Sequence, residues 1–242
     1  MGADAPRGLT VDRSRARAYL LLARFSNLPT VWTNVVAGTV ASGAAFTAPL
    51  AAWLCAAISF LYTAGMFLND AFDREFDARA RPDRPIPAGN VTVRETFAAG
   101  WTLLGVGLFL LAWKTNAAAT LWGLALSAAI VYYDYRHKQN PFGPVVMGLC
   151  RGLVYCVAAA ASSGVTLAVA IAALLLTGYV ISLTWVAKSA GASAGWLVPI
   201  LIAGISIVDG IVIGFNGGGA LLWLGVVGFV ATLLLQRVVP GT

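Results

Sequence analysis

Residues 165–187, VTLAVAIAALLLTGYVISLTWVA, form a stretch of 23 positions without a charged side chain. A helix needs about 20 apolar residues to cross a hydrocarbon layer about 30 Å thick, so this stretch is long enough to span a membrane. Its central run, residues 168–177, is apolar except for Thr177 at its end, whereas a strand of a membrane barrel alternates polar and apolar residues. The stretch therefore predicts a transmembrane helix and excludes a barrel.

The whole chain repeats this pattern. Hydrophobic residues make up 59% of it and charged residues 11%, with a mean hydropathy of +0.81, where a soluble domain carries about 25% charged residues. Eight apolar stretches are found, at residues 18–42, 49–68, 96–113, 117–133, 144–161, 165–187, 196–215 and 219–235. We expect an all-α, polytopic transmembrane bundle of about eight spans, built as one domain (residues 18–242) after a polar cytoplasmic N-terminal segment (residues 1–17).

The basic residues are distributed unevenly around these spans. If the spans alternate in direction, 14 of the 16 Lys and Arg residues fall on one side, which the positive-inside rule makes cytoplasmic. Both termini then lie in the cytoplasm, and we expect the bundle to lie in the cytoplasmic membrane of a bacterial or archaeal cell. The net charge of +6 comes with no nucleic-acid motif, so we expect membrane lipid and no nucleic acid as a partner.

One long polar stretch interrupts the apolar pattern, at residues 69–95, and begins NDAFDREFDARARPDRPIPAG. Asp70, Asp73 and Asp77 are spaced at i, i+3 and i+7, which places them within a sector of about 60° if the preceding helix continues. Like charges on one helix face repel, so three converging carboxylates need a cation. Mg²⁺ prefers such oxygen ligands together with a substrate phosphate.

Basic and rigid residues follow in RPDRPIPAG, residues 81–89. The guanidinium groups of Arg81 and Arg84 suit the oxygens of a diphosphate, and the prolines stiffen the loop that carries them. The competing interpretation is a solvated helix end of mixed charge that serves only to hold the loop inside the cell.

Three segments together carry a resemblance to a known family. The pattern NDxxDxxxD with its RPxRPIPxG continuation resembles the first aspartate-rich motif of the UbiA superfamily of intramembrane prenyltransferases. Residues 133–138, YDYRHK, are similar to the tyrosine and lysine motif after the fourth helix of that family, and residues 24–34, RFSNLPTVWTN, resemble its first helix.

The resemblance implies a helical bundle around a central cavity open to the cytoplasmic side, with a ninth helix possible. It implies transfer of a prenyl group from a prenyl diphosphate to a small aromatic or lipid acceptor, assisted by Mg²⁺. Asp70, Asp73 and Asp77 would be the metal ligands. The diphosphate contacts would be Arg81, Arg84 and Lys138, and the polar pocket would be lined by Asn34, Asn69 and Tyr133.

The chain departs from the family at its second acidic motif. No Asp or Glu occurs between Asp134 and Asp209, and the corresponding loop carries Lys188 instead. Lys188 is therefore a candidate catalytic residue that contacts the diphosphate directly. The alternative role for a lysine in this loop is to help set the orientation of the helices in the membrane. Alternatively, the protein has lost catalysis and binds or handles isoprenoid lipids.

Two charged residues, Arg151 and Asp209, fall inside predicted spans, where ionisable side chains are functional candidates. We expect Arg151 to face the cavity and to pair with Asp209. Tyr155 lies one turn beyond Arg151 and is a candidate for the same wall. An intramembrane charge pair is also compatible with a transporter, a third function class.

Overall fold

A computed structural model describes residues 13–136, 142–189 and 195–241. This part of the chain contains ten α-helices and two 3₁₀ turns, Phe25–Asn27 and Gly219–Leu222, and has no β-strand. The helices are α1 (Arg13–Leu22), α2 (Leu28–Ala41), α3 (Ala48–Phe72), α4 (Arg74–Ala80), α5 (Val93–Lys114), α6 (Ala117–Arg136), α7 (Gly143–Ala160), α8 (Leu167–Ser189), α9 (Leu197–Phe215) and α10 (Trp223–Gln236).

Seven of the described segments are long and apolar enough to cross a membrane. They are α3, α5, α6, α7, α8, α9 and the segment Gly219–Gln236, which consists of the second 3₁₀ turn followed directly by α10. Their outer faces carry exposed apolar side chains, such as Leu167, Leu174 and Phe215, as expected for contact with lipid. The predicted all-helical membrane bundle is confirmed.

The prediction of one unbroken first span, residues 18–42, is wrong. Helix α1 ends at Leu22, and Arg24 adopts a left-handed backbone conformation with φ of 43°. Pro29 lies in the first turn of α2, where its missing N–H leaves no intrahelical hydrogen bond unmade, so the new helix begins there. The predicted boundary at residue 17 falls inside α1, where Ala18 and Leu22 are buried against Phe67 of α3.

Helix α2 forms the centre of the bundle. It has 14 residues, which gives a length of about 21 Å, and 13 of them are buried. It packs against α3, α7, α9 and α10. Gly38 allows the close approach to α7, since a Cβ atom there would lie 2.7 Å from the Cα atom of Tyr155.

The polar stretch after α3 folds over one end of the bundle. Hydrogen bonds of 2.9 Å join Asp73 N to Asn69 O and Asp77 N to Asp73 O, so the helical turn continues from α3 into α4. Helix α5 then begins with a capping box between Thr92 and Glu95. Arg15 of α1 contacts Glu95 at 2.8 Å, which ties α1 to the same end.

Candidate functional site

A cavity of about 350 Å³ opens among helices α2, α3 and α6 to α9 at the end covered by the polar stretch. Most of its wall is apolar, with side chains such as Ile58, Leu126, Val154 and Ile202. Its charged lining residues, within the described ranges, are Arg24, Arg81, Arg84, Arg151 and Asp134. Four cations thus face a long apolar space.

At the mouth of the cavity, two arginines hold the predicted metal-binding carboxylates. Arg24 Nη2 lies 3.2 Å from Asp70 Oδ1, and Arg84 Nη1 lies 3.0 Å from the same atom. Arg84 Nη1 also lies 3.3 Å from Asp77 Oδ2. The carboxylates of Asp70 and Asp77 are almost fully buried, at 7% and 3% exposure. Arg84 therefore bridges two acidic groups on one helix face.

The expected convergence of three carboxylates is only partly found. Asp70 and Asp77 share Arg84, whereas Asp73 is half-buried at the turn between α3 and α4. Within the described residues no group of three His, Cys, Asp or Glu side chains is arranged to hold a metal. Arg84, rather than a third carboxylate, contacts both the first and the last of the three aspartates.

The oxygen atoms present nevertheless fit a hard divalent cation. Asp77 Oδ1 is buried and has no hydrogen-bond partner among the described residues, so one carboxylate oxygen is free for a ligand. Carboxylate oxygens together with phosphate oxygens are the set that Mg²⁺ prefers. A metal bound together with a diphosphate is therefore compatible with Asp70 and Asp77.

Deeper in the bundle, a buried polar network joins α2, α7 and α9. Asp209 is fully buried and accepts hydrogen bonds from Asn34 Nδ2, at 2.9 and 2.8 Å, from Tyr155 Oη, at 2.6 Å, and from Thr33 Oγ1. Arg151 donates to Asn34 Oδ1 at 2.9 Å and lies over the ring of Tyr62. The predicted pairing of Arg151 and Asp209 is thus found as an indirect contact through Asn34.

Besides the three aspartates, the predicted site residues that the structure describes fall into three groups. Arg81, Arg84, Tyr133 and Arg151 lie on the cavity wall. The side chains of Asn34, Asn69 and Tyr155 are buried behind it. Lys188 is exposed at the end of α8, and the cavity wall includes its neighbour Ala187 but not Lys188 itself. Lys138 lies outside the described residues.

Sequence reasoning passed over two residues of the wall. Arg24 stands in the segment RFSNLP, and its left-handed backbone turns it toward Asp70. Asp134 stands in the segment YDYRHK and is the one carboxylate on the described part of the cavity wall. Both segments resemble motifs of a known family, yet no charge count or helix period distinguishes these two residues from their neighbours.

Taken together, the cavity suits an amphiphile with an anionic head and a hydrocarbon tail. Arginine side chains at the mouth offer charge-assisted hydrogen bonds to phosphate oxygens. The apolar walls beyond them bury hydrocarbon and keep water out.

Comparison with known proteins gives a consistent result. The sequence model of the UbiA prenyltransferase family matches residues 29–193. The digeranylgeranylglyceryl phosphate synthase of Methanopyrus kandleri is 37% identical over 154 residues, which cover 60% of this chain and 53% of the relative. The 4-hydroxybenzoate octaprenyltransferase of Paracidovorax citrulli is 30% identical over 142 residues, or 56% of this chain and 48% of the relative.

Solved structures share the fold. A UbiA homologue from Archaeoglobus fulgidus, bound to DMAPP and Mg²⁺, superposes with a TM-score of 0.60 at 17% sequence identity. The alignment covers 91% of this chain and 86% of that structure. The chain spans about half the length of the curated relatives it matches.

Proposed function

The chain belongs to the UbiA prenyltransferase family, and from this premise we propose that it transfers a prenyl group from a prenyl diphosphate to an aromatic or lipid-like acceptor within the membrane. One observation carries the proposal: a cavity with arginines at its mouth and an apolar interior, beside the buried carboxylates of Asp70 and Asp77. A prenyl diphosphate has the same division into an anionic head and an apolar tail.

We propose that Asp70, Asp73 and Asp77 bind Mg²⁺ together with the diphosphate. Three carboxylates satisfy at most about half of an octahedral shell, so diphosphate oxygens and water complete the site. When bound, the metal ion supplies charge that stabilises the departing diphosphate. The buried, unpartnered Oδ1 atom of Asp77 supports this role.

The other polar residues of the proposed site act on the diphosphate and the acceptor. Arg81, Arg84 and Lys138 would contact the diphosphate and bind it more strongly as it gains negative charge on leaving. Arg24, which shares Asp70 with Arg84, belongs to the same group. The apolar wall would keep water away from the reactive prenyl carbon until the acceptor captures it.

We further propose that the polar stretch and both termini face the cytoplasm. This orientation needs an even number of crossings, and α2 supplies the eighth, since Arg24 before it contacts Asp70 at one end of the bundle and Ala41 accepts a hydrogen bond from Thr166 at the other. The protein is an integral membrane protein by its seven apolar segments and its family. The uneven distribution of Lys and Arg around these segments supports the orientation. Donor molecules made in the cytoplasm would then reach the mouth of the cavity directly.

A transfer assay tests the proposed activity. We expect purified protein to transfer label from prenyl diphosphates of different chain length to 4-hydroxybenzoate or to an acceptor in membrane extract. We expect EDTA to stop this transfer. Calorimetry should show that the diphosphate binds more weakly in EDTA. Tight binding of prenyl lipids with no transfer to any acceptor would instead support a non-catalytic role in isoprenoid handling.

Lys188 and Arg84 form an informative pair for testing how the diphosphate is held. Because Arg84 lies on the cavity wall and Lys188 does not, we expect Arg84→Met to lower turnover roughly a hundredfold or more and Lys188→Met to lower it much less. Steady-state transfer rates of the two variants are the measurement. Equal losses, with partial recovery by Lys188→Arg, would place Lys188 on the diphosphate as the sequence predicts.

A further inference from the structure

One carboxylate on the cavity wall has no role in the diphosphate site. Asp134 lies near the end of α6, is 4% exposed and lines the cavity. Its Oδ1 atom accepts a hydrogen bond of 3.3 Å from Asn69 Nδ2. Its Oδ2 atom is buried and has no hydrogen-bond partner among the described residues. A buried polar atom without a partner is costly, so this oxygen requires an explanation.

The chemistry of the proposed transfer leaves one group unassigned. An acceptor hydroxyl must lose a proton as it bonds to the prenyl carbon, and a carboxylate within hydrogen-bond reach is a suitable base. No acidic residue occurs between Asp134 and Asp209, and Asp209 is engaged by three donors away from the cavity wall. On the described part of the wall, Asp134 is therefore the one carboxylate available for this role.

We infer that Asp134 is the general base for a hydroxyl-bearing acceptor, an inference that rests on the proposed prenyl transfer. The acceptor O–H donates to Asp134 Oδ2, and its proton moves to that oxygen. The hydroxyl oxygen uses an electron pair to form a C–O bond to C1 of the prenyl chain. The bond from C1 to the diphosphate oxygen breaks, and its electron pair leaves with the diphosphate toward Arg81 and Arg84.

A purely structural role for Asp134 makes a different prediction. In that case its carboxylate serves to hold Asn69, which is adjacent to Asp70 in α3. Losing it would then disturb the donor site. The base role predicts that the donor site is unaffected and that only transfer to the acceptor fails.

Asp134→Asn separates the two roles, because an amide oxygen still accepts the hydrogen bond from Asn69 but cannot take a proton. We expect transfer to fall by about 10²- to 10⁴-fold. The rate at which the donor releases diphosphate in the absence of acceptor should stay close to native. The affinity for the donor, measured by calorimetry, should also stay close to native. Glu75→Gln, an acid-to-amide change at an exposed α4 residue, is the matched control and should leave all three unchanged. Equal loss of transfer and of acceptor-free release would overturn the inference, as would native transfer by Asp134→Asn.

A binding measurement tests the same residue without requiring turnover. The probes are 4-hydroxybenzoate and a monoalkyl glycerol phosphate, each compared with its O-methyl ether. If Asp134 Oδ2 accepts the hydroxyl hydrogen, native protein should bind the hydroxyl compound of one pair at least about tenfold more tightly than its O-methyl ether. The pair that shows the preference distinguishes a phenolic from a lipid acceptor.

In Asp134→Asn the preference should disappear, because the amide nitrogen then faces the cavity and donates to a hydroxyl or an ether oxygen alike. If native protein binds both members of both pairs equally, or if the preference survives in Asp134→Asn, the base assignment is wrong. A native protein that shows the preference but transfers nothing would contradict the proposed function and leave this contact established.

Discussion

Asp70→Asn is expected to lower prenyl transfer by roughly a thousandfold or more, equivalent to about 4 kcal/mol of transition-state stabilisation. Asp70 lies at the centre of the charged cluster, where one of its oxygens contacts both Arg24 and Arg84. Removing its charge takes away a proposed metal ligand and releases two partly buried arginines from their shared partner. Steady-state transfer at saturating donor and Mg²⁺ is the measurement.

Two controls make the result for Asp70 interpretable. Glu75→Gln removes an acidic charge from α4, where the side chain is 78% exposed and pairs with Arg74, so its turnover should be native. Calorimetry should show that Mg²⁺ no longer strengthens diphosphate binding in Asp70→Asn. Native turnover in that variant, or a diphosphate affinity of the native protein that EDTA does not change, would refute the metal assignment.

The second large effect is expected on stability. Asp209→Ala should lower the free energy of unfolding by about 3–5 kcal/mol, because it leaves Arg151 in the bundle without its counter-charge. It also leaves Thr33, Asn34 and Tyr155 without the acceptor that they share. Denaturant titration of the protein in detergent micelles measures this loss.

A double-mutant cycle isolates the coupling within this network. Removing both charges, in Arg151→Leu with Asp209→Leu, should cost less than the sum of the two single changes, because no unpaired charge then remains buried. The link runs through Asn34, which accepts from Arg151 and donates to Asp209. Strictly additive losses would show that the two charges are independent.

Much of the architecture follows from local sequence. Apolar stretches such as residues 165–187 have no alternative to a membrane helix, because their side chains and backbone groups are satisfied only there. The break at Arg24 is different. Residues 18–42 are predominantly apolar throughout, and the two helices are seen only in the structure, where Arg24 takes a left-handed conformation and contacts Asp70.

The candidate site likewise follows in part from local sequence and in part from tertiary packing. Helical spacing and charge type were enough to select Asp70, Asp77, Arg81 and Arg84, because these residues are close in sequence and their geometry is local. Nothing in the spacing shows that Arg84 would occupy the gap between the two aspartates. That contact depends on how the proline-rich loop folds back over the end of α3.

The sequence by itself therefore determined the membrane bundle, the acidic and arginine-rich cluster and the family, since each depends on residues within a few helical turns. Only the tertiary structure decided which residues reach the cavity. It placed Arg24 and Asp134 on the wall, placed Asn34 and Tyr155 behind it, and left Lys188 exposed. The physical reason is that a cavity is formed between helices that are distant in the chain, so which face of each helix lines it depends on packing against all the others.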